Sequence, residues 1–352
     1  MSWLRPARAF VTIALAGAAL CAPPLESDAR SKKPPVVEAP PPPTPPPPAP
    51  PGPVGLPPGL LAEAAAYQAY LERVTTTSPA FTSGEGIARA LKDATAYEPK
   101  ALVRGAVAYA AVAALEDTDF VAAVRAAGNT PDNRRLMVGY LAADPAYALL
   151  FKGADGAAGL AREALGSAGL KLFDLGKTMK QASYDIQHQD WSKQEVADRP
   201  GRLAAVEARG HDALPLADDH VDALQRAASG AAPLTITAPP LQPPYTPLVA
   251  RAVQLAAIAA LGEAADDTYD RLASPAADDT TATCLGMAKL NLYQCLAVAK
   301  PHYEDVYCMG QHGMSDTGAC LVINAGLSVP APPPPAIAAA PPPKKKAKRA
   351  HG

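Results

Sequence analysis

The cysteines carry the strongest chemical signal in the chain. Four of the five, Cys284, Cys295, Cys308 and Cys320, lie close together near the C-terminus. Cys284 and Cys295 are eleven positions apart, and Cys308 and Cys320 twelve. At ~3.6 residues per turn these intervals are about three helical turns, so each pair falls roughly on one helix face. The intervening Ala299-Lys-Pro-His-Tyr-Glu-Asp305 reads as a turn. Two helices folded back on it would bring Cys295 to Cys308 and Cys284 to Cys320. The spacing therefore predicts a helical hairpin stapled by two nested disulfides. It does not suit a zinc site, which usually draws on CxxC-like pairs or histidines a turn apart. Without CxxC, thioredoxin-like exchange is also unsupported. No metal or cofactor is expected.

The densest group of titratable side chains surrounds the same turn: His302, Glu304, Asp305 and His312, with Tyr303 and Tyr307. General acid–base chemistry needs such groups converging in a cleft with shifted pKa values. A hairpin tip is usually convex, so His302, Tyr303, Glu304 and Tyr307 are expected as contact residues, and no catalytic residue is assigned. Glu207, His211 and the run Asp218-Asp-His220 could ligate a metal; the simpler reading is a polar surface beside a helix C-terminus. Trp191, next to His188 and Gln189, is read either as a sugar or peptide contact or as a cover over a helix end. Arg104, the one charge well inside an apolar segment, is expected to pair with an acid such as Glu98, the alternative being an anion site. The glycines from Gly153 to Gly176 form neither a Walker-type loop nor a dinucleotide fingerprint, and no GxSxG occurs.

The elements that position these residues read as helices throughout. Apolar residues recur at helical spacing over Leu60–Thr75, and Ser83 caps a segment running to about Ala94. Lys100–Leu115 is apolar around most of its circumference and is predicted to be a buried central helix. Short helices follow over 120–127, 132–142 and 145–151. A long one spans Ala157–Gln189, with glycines placed for close approach of a neighbour. Arg199-Pro-Gly201 reads as a break before helices over 202–209 and 216–228, and Leu248–Leu272 is the second strongly apolar helix. The expected fold is all-α: a multi-helix body with a disulfide-stapled C-terminal hairpin and disordered proline-rich ends. Alanine abundance and only 5% aromatics suit closely packed helices.

The termini speak to compartment. Arg5 and Arg8 precede an apolar run over Phe10–Leu20, too short for a membrane span and arranged like an export signal. Ala18-Ala-Leu-Cys21 resembles a bacterial lipoprotein box, which would make Cys21 a lipidation site, although Leu20 stands where that pattern has Gly, Ala or Ser. The alternative is that Cys21 is part of a discarded signal. Disulfides persist outside the cytoplasm, and the four remaining cysteines are even in number. The expected layout is a signal over 1–21, a proline-rich tether over 22–58, a helical domain over 59–230, and a proline-rich strap or linker over 231–247. A helical region with the cysteine hairpin over 248–326, packed on the preceding helices, and a tail over 327–352 complete it. The tail ends in Lys344, Lys345, Lys346, Lys348 and Arg349. Behind an export signal these read as contacts for anionic envelope polymer or lipid, or as a solubilising tail without a specific partner. Net charge is −2, and no nucleic-acid partner is expected.

The hairpin is similar in outline to the twin-cysteine hairpins with nested disulfides, though its cysteines are separated by ten and eleven residues where that family has nine. Only the pairing logic carries over. In composition and layout the chain resembles exported envelope proteins of GC-rich bacteria. The expectation is an exported, non-catalytic binding or scaffold protein of the cell envelope. The alternative is an envelope hydrolase whose acid–base or metal site is not visible in the sequence.

Overall fold

The computed structural model describes residues 54–214, 218–263 and 279–330, and among them the chain is all-α: twelve α-helices, a 3-10 turn and no strand. The signal segment 1–21 with Cys21, most of the tether, and the tail beyond Pro330 with its basic cluster lie outside the described residues.

Capping chemistry sets most helix starts. Pro58 opens α1 (Pro58–Thr75), and Ser83 opens α2 (Gly84–Thr95), its hydroxyl accepting from the Gly86 N–H at 3.2 Å. Glu98 caps α3 (Pro99–Ala114), its carboxylate accepting from the Ala101 N–H at 2.7 Å. The expected pairing of Arg104 with an acid holds, with a different acid. With Glu98 used as the cap, Arg104 pairs instead with Glu63 on α1, Nε to Oε1 at 2.8 Å. Asp117 caps α4 (Thr118–Ala127) and Thr130 caps α5 (Pro131–Ala143), with a 3-10 turn over Pro145–Leu150. The spine is α6 (Ala154–Ile186), 33 residues long.

Arg199-Pro-Gly201 starts a helix rather than breaking one. Asp198 accepts from the Gly201 N–H at 2.9 Å, and a proline in the first turn has no N–H to lose, so α7 runs over Arg199–Arg209. After α8 (Asp218–Ala228) comes α9 (Pro247–Leu261). It stops at Gly262, whose φ of +74° is the left-handed ending that glycine takes without strain, and not at Leu272.

Helix α3 is buried on almost all sides and packs on α1, α6 and α9. Alanine at 106, 108, 110, 111, 113 and 114 lets these neighbours approach closely. Two segment boundaries shift. Val54 and Leu56, placed in the tether by the sequence reading, are buried in the core, and the Val54 carbonyl accepts from Gln225 Nε2 at 3.5 Å. These two apolar side chains among prolines anchor the chain before α1. The 231–247 stretch is a strap. Leu234, Ile236, Leu241 and Tyr245 pack on the core, and the Leu241 N–H donates to the Asp155 carbonyl at 2.8 Å.

The hairpin forms with both disulfides, Cys284–Cys320 and Cys295–Cys308. Its first arm is α10 (Asp279–Val298). The second is continuous: α11 (His302–Cys308), a wide π turn over Met309–Ser315, and α12 (Asp316–Asn324). The predicted turn is shorter than expected, because His302–Asp305 already belong to α11. The second arm runs antiparallel along α6. Ser183 meets Tyr303, Gly176 meets Gly310, Gly169 meets Gly318, and Gly166 meets Leu327. The Gly169–Gly318 crossing is backbone on backbone: a Cβ on Gly318 would lie 2.5 Å from the Gly169 carbonyl oxygen. Leu327, assigned to the tail from the sequence, therefore covers the spine. Among the described residues no helix is long and apolar enough to cross a membrane.

Candidate functional site

A helix ends with four carbonyls that lack an intrahelical partner. At the hairpin turn two arginines of α7 supply partners for the end of α10. Arg199 donates from Nε to the Ala299 carbonyl at 2.8 Å and from Nη2 to Ala297 at 2.9 Å. Arg202 divides its guanidinium between the Leu296 carbonyl and the Asp305 carboxylate. The start of α11 is satisfied by the loop that follows α6. The His302 N–H donates to the Gln194 carbonyl at 3.2 Å and the Tyr303 N–H to Ser192 at 3.2 Å. Glu195 and Pro301 form an isolated antiparallel bridge, and the Lys300 carbonyl accepts from the Val196 N–H at 2.9 Å. Glu304 reaches back to the Lys300 N–H at 2.8 Å. The tip is thus gripped on two sides and is not a free convex end.

The Arg202–Asp305 pair is buried, with side-chain exposures of 7% and 4%. Burial pushes the Asp305 carboxyl up to about 6, outweighing the attraction of Arg202. Because Arg202 is shared with a carbonyl, its charge is only partly directed at Asp305. His302 sits against Gly84 on α2, and its pKa is lowered by burial and then by the nearby Arg202 charge.

On the flank of the tip lies a groove of ≈ 400 Å³. It is lined by Ser183 and Tyr184 of α6 and Gln187 just beyond its end, by Val298 and Ala299, by Tyr303, Glu304 and Tyr307 of α11, and by the Cys295–Cys308 bridge. Tyr184 and Tyr307 meet edge to face at 6.2 Å, and Lys180 Nζ lies 5.8 Å from the Tyr307 ring centre. Tyr184 is 49% and Val298 75% exposed.

Of the five contact residues singled out in the sequence, Tyr303, Glu304 and Tyr307 share this groove; His302 and Trp191 do not line it. Trp191 is half-buried against the core beside the end of α6, and its indole N–H donates to Gln189 Oε1 at 2.5 Å. His312 does not join the tip. It pairs with Asp316 (Nδ1 to Oδ2, 2.7 Å) on the π turn, where Gln311 links Asp316 to Lys180. The acidic and histidine residues around α7 and α8 also disperse. His220 pairs with Glu72 at 3.1 Å, and Asp212 with Arg209 at 2.7 Å. Among the described residues no three His, Cys, Asp or Glu side chains are placed to hold a metal ion.

Two residues escaped the sequence reading. Tyr184, not singled out in the sequence, lines the groove. Lys289 on α10 is only 5% exposed. Its ammonium donates to the Thr95 carbonyl at 2.8 Å and lies 4.0 Å from the Tyr97 ring centre. Burial lowers its pKa to about 7, against the opposing pull of Glu98 and Asp212. The signal was present, because Lys289 falls in register with Leu285, Leu292 and Leu296, the buried stripe of the helix. A scan against protein-family models and searches of curated proteins and of solved structures found no match.

Proposed function

We propose that this chain is an exported, non-catalytic binding or scaffold protein of the bacterial cell envelope, and that the groove beside the hairpin tip is its contact surface. The observation that carries the reading is the convergence of Tyr184, Tyr303, Tyr307 and Val298 on one open groove, while the histidines are dispersed. Tyrosine offers a large apolar face and a polar tip, the combination favoured at contact surfaces. The His302 ring lies against Gly84, His220 pairs with Glu72 and His312 with Asp316, so these three histidines stand at separate places in the fold. Export is supported by the basic and apolar N-terminal pattern together with the paired cysteines, since disulfides persist in oxidising compartments. The basic cluster over 344–349 adds an anionic envelope polymer or lipid surface as a second point of contact.

The hydrolase alternative rests on the His312–Asp316 pair. The hydroxyls beside it in sequence are both buried and engaged: Ser315 donates to the Phe173 carbonyl at 3.2 Å, and Thr317 meets the Tyr97 hydroxyl at 3.0 Å.

The test is a photocrosslinker at Val298 in intact cells, followed by identification of what it captures. An envelope component is expected, with capture lost in Tyr184→Ala and Tyr307→Ala. Capture of nothing, or capture unaffected by both substitutions, would sink the reading. Intact mass of the mature protein decides separately whether Cys21 is lipidated.

A further inference from the structure

We infer that the groove takes an extended, proline-rich, uncharged segment, and that its occupant within this molecule is the chain's own C-terminal stretch Ala331–Pro343. This deepens the contact-surface proposal and rests on it. Three observations converge.

The first is chemistry. Ala331–Pro343 contains seven prolines, five alanines and one isoleucine, with no charge. Proline carbonyls accept hydrogen bonds, and the residue has no N–H to satisfy. A polyproline II ridge therefore suits a wall of aromatic faces whose hydroxyls donate, the recognition mode of aromatic-lined grooves for such segments. Tyr184, Tyr303 and Tyr307 supply those faces and hydroxyls.

The second is delivery. The described chain ends at Pro330, just beyond Leu327, which sits on Gly166 of α6. The groove lies further along the same helix, at Ser183, Tyr184 and Gln187. From Gly166 to Tyr184 is eighteen residues, about 27 Å at ~1.5 Å per residue. Thirteen residues of polyproline II span about 40 Å at ~3.1 Å each. The stretch reaches the groove with length to spare.

The third is the surface it would cross and cover. The exposed face of α10 between its two cysteines bears Met287 and Leu290, with Val298 beyond at the groove itself. Between Asp279 and Val298 the only charged side chain is Lys289, which points inward. An uncharged face adjoining a tyrosine groove fits an uncharged proline–alanine segment.

The experiment is hydroxyl-radical footprinting of the full chain against a chain ending at Pro330. Tyr184 and Tyr307 should be oxidised about fourfold more slowly in the full chain, the protection expected when a tethered segment at ~1 mM effective concentration meets a site of about 0.3 mM affinity. Tyr140, exposed on α5, is the internal control and should not change. A full-length variant with Pro332–Pro335 and Pro341–Pro343 replaced by serine should match the shortened chain. Equal rates in both chains would overturn the inference. So would protection that fades on dilution, which indicates a second copy, or protection that survives loss of 331–352 and disappears when 22–53 is removed. Crosslinking at Val298 reads the groove independently. Equal oxidation rates with an envelope crosslink still formed remove the tail and leave the contact surface.

Discussion

Asp305→Asn tests the clamp at the hairpin tip most directly. Asp305 is buried and shares Arg202 with the Leu296 carbonyl, and its folded-state pKa of about 6 lies above the ordinary 3.8. A carboxyl raised in the folded state contributes stability that is fully present below 3.8 and lost as pH rises through about 6. The interval corresponds to about 3 kcal/mol at ~1.36 kcal/mol per pH unit. Asparagine keeps an acceptor for Arg202 but cannot titrate. The stability of the native chain relative to Asp305→Asn should therefore be greater at pH 4 than at pH 7.5 by about 2 kcal/mol, because part of the effect is already lost at pH 4, with the change centred between 4 and 6. Urea unfolding at several pH values, followed by far-ultraviolet circular dichroism with the disulfides intact, gives the difference directly. Because the other carboxyl groups are common to both proteins, their titration cancels. A relative stability that grows with rising pH would refute the reasoning. It would mean that Arg202 holds the carboxylate ionised and that attraction, not desolvation, governs the site.

Lys289→Met removes a buried amine whose pKa has fallen from 10.5 to about 7. A base lowered in the folded state contributes stability above its unfolded pKa and loses it as pH falls through its folded one. The stability of Lys289→Met relative to the native chain should thus be greatest at pH 7 and below, and shrink by about 4 kcal/mol between pH 7 and 10 in urea titrations; an unchanged difference would contradict this. Gly318→Ala places a Cβ against the backbone of Gly169 and Phe173. It should cost about 1–3 kcal/mol and lower the melting temperature, whereas the same change at Gly286, where nothing lies within 4 Å, should not. Replacing Cys295 and Cys308 together by serine opens a crosslink spanning 13 positions and should cost about 3 kcal/mol, read as a lower urea midpoint.

The helical order was legible because local rules decided it. Ser83 caps where it was expected to, Asp117 and Thr130 cap the starts of the short helices that follow, and the cysteine spacing specified both disulfides. Tertiary competition hid the rest. Glu98 could serve as cap or as partner of Arg104, and only the packed structure shows which. Val54 and Leu56 lie among prolines, so composition pointed to a tether while two apolar side chains anchored the chain. The groove needed Tyr184 and Tyr307 to meet across 123 positions, and no local pattern encodes that contact.

The hairpin tip shows how such competition creates a site. Cations at a helix N-terminus face the positive end of the helix dipole, so Arg199 and Arg202 are poorly placed for α7 alone. They are well placed for α10, whose C-terminal carbonyls present the negative end of its dipole to them. The unfavourable placement in one helix is the cap of another, and it fixes α7 against the tip. With the loop after α6 holding the opposite side, the turn backbone is enclosed and Asp305 is withdrawn from water. The remaining accessible face of α11 is the one carrying Tyr303, Glu304 and Tyr307. Loss of the arginine cap should therefore loosen the groove as well as the hairpin. In Arg202→Met, Asp305 is left buried without its cation, a change that typically costs ~3–5 kcal/mol. Oxidation of Tyr303 should rise along with that loss if the clamp is what holds the groove in shape. If the protein is destabilised but Tyr303 oxidation is unchanged, the clamp and the groove are independent features of the fold.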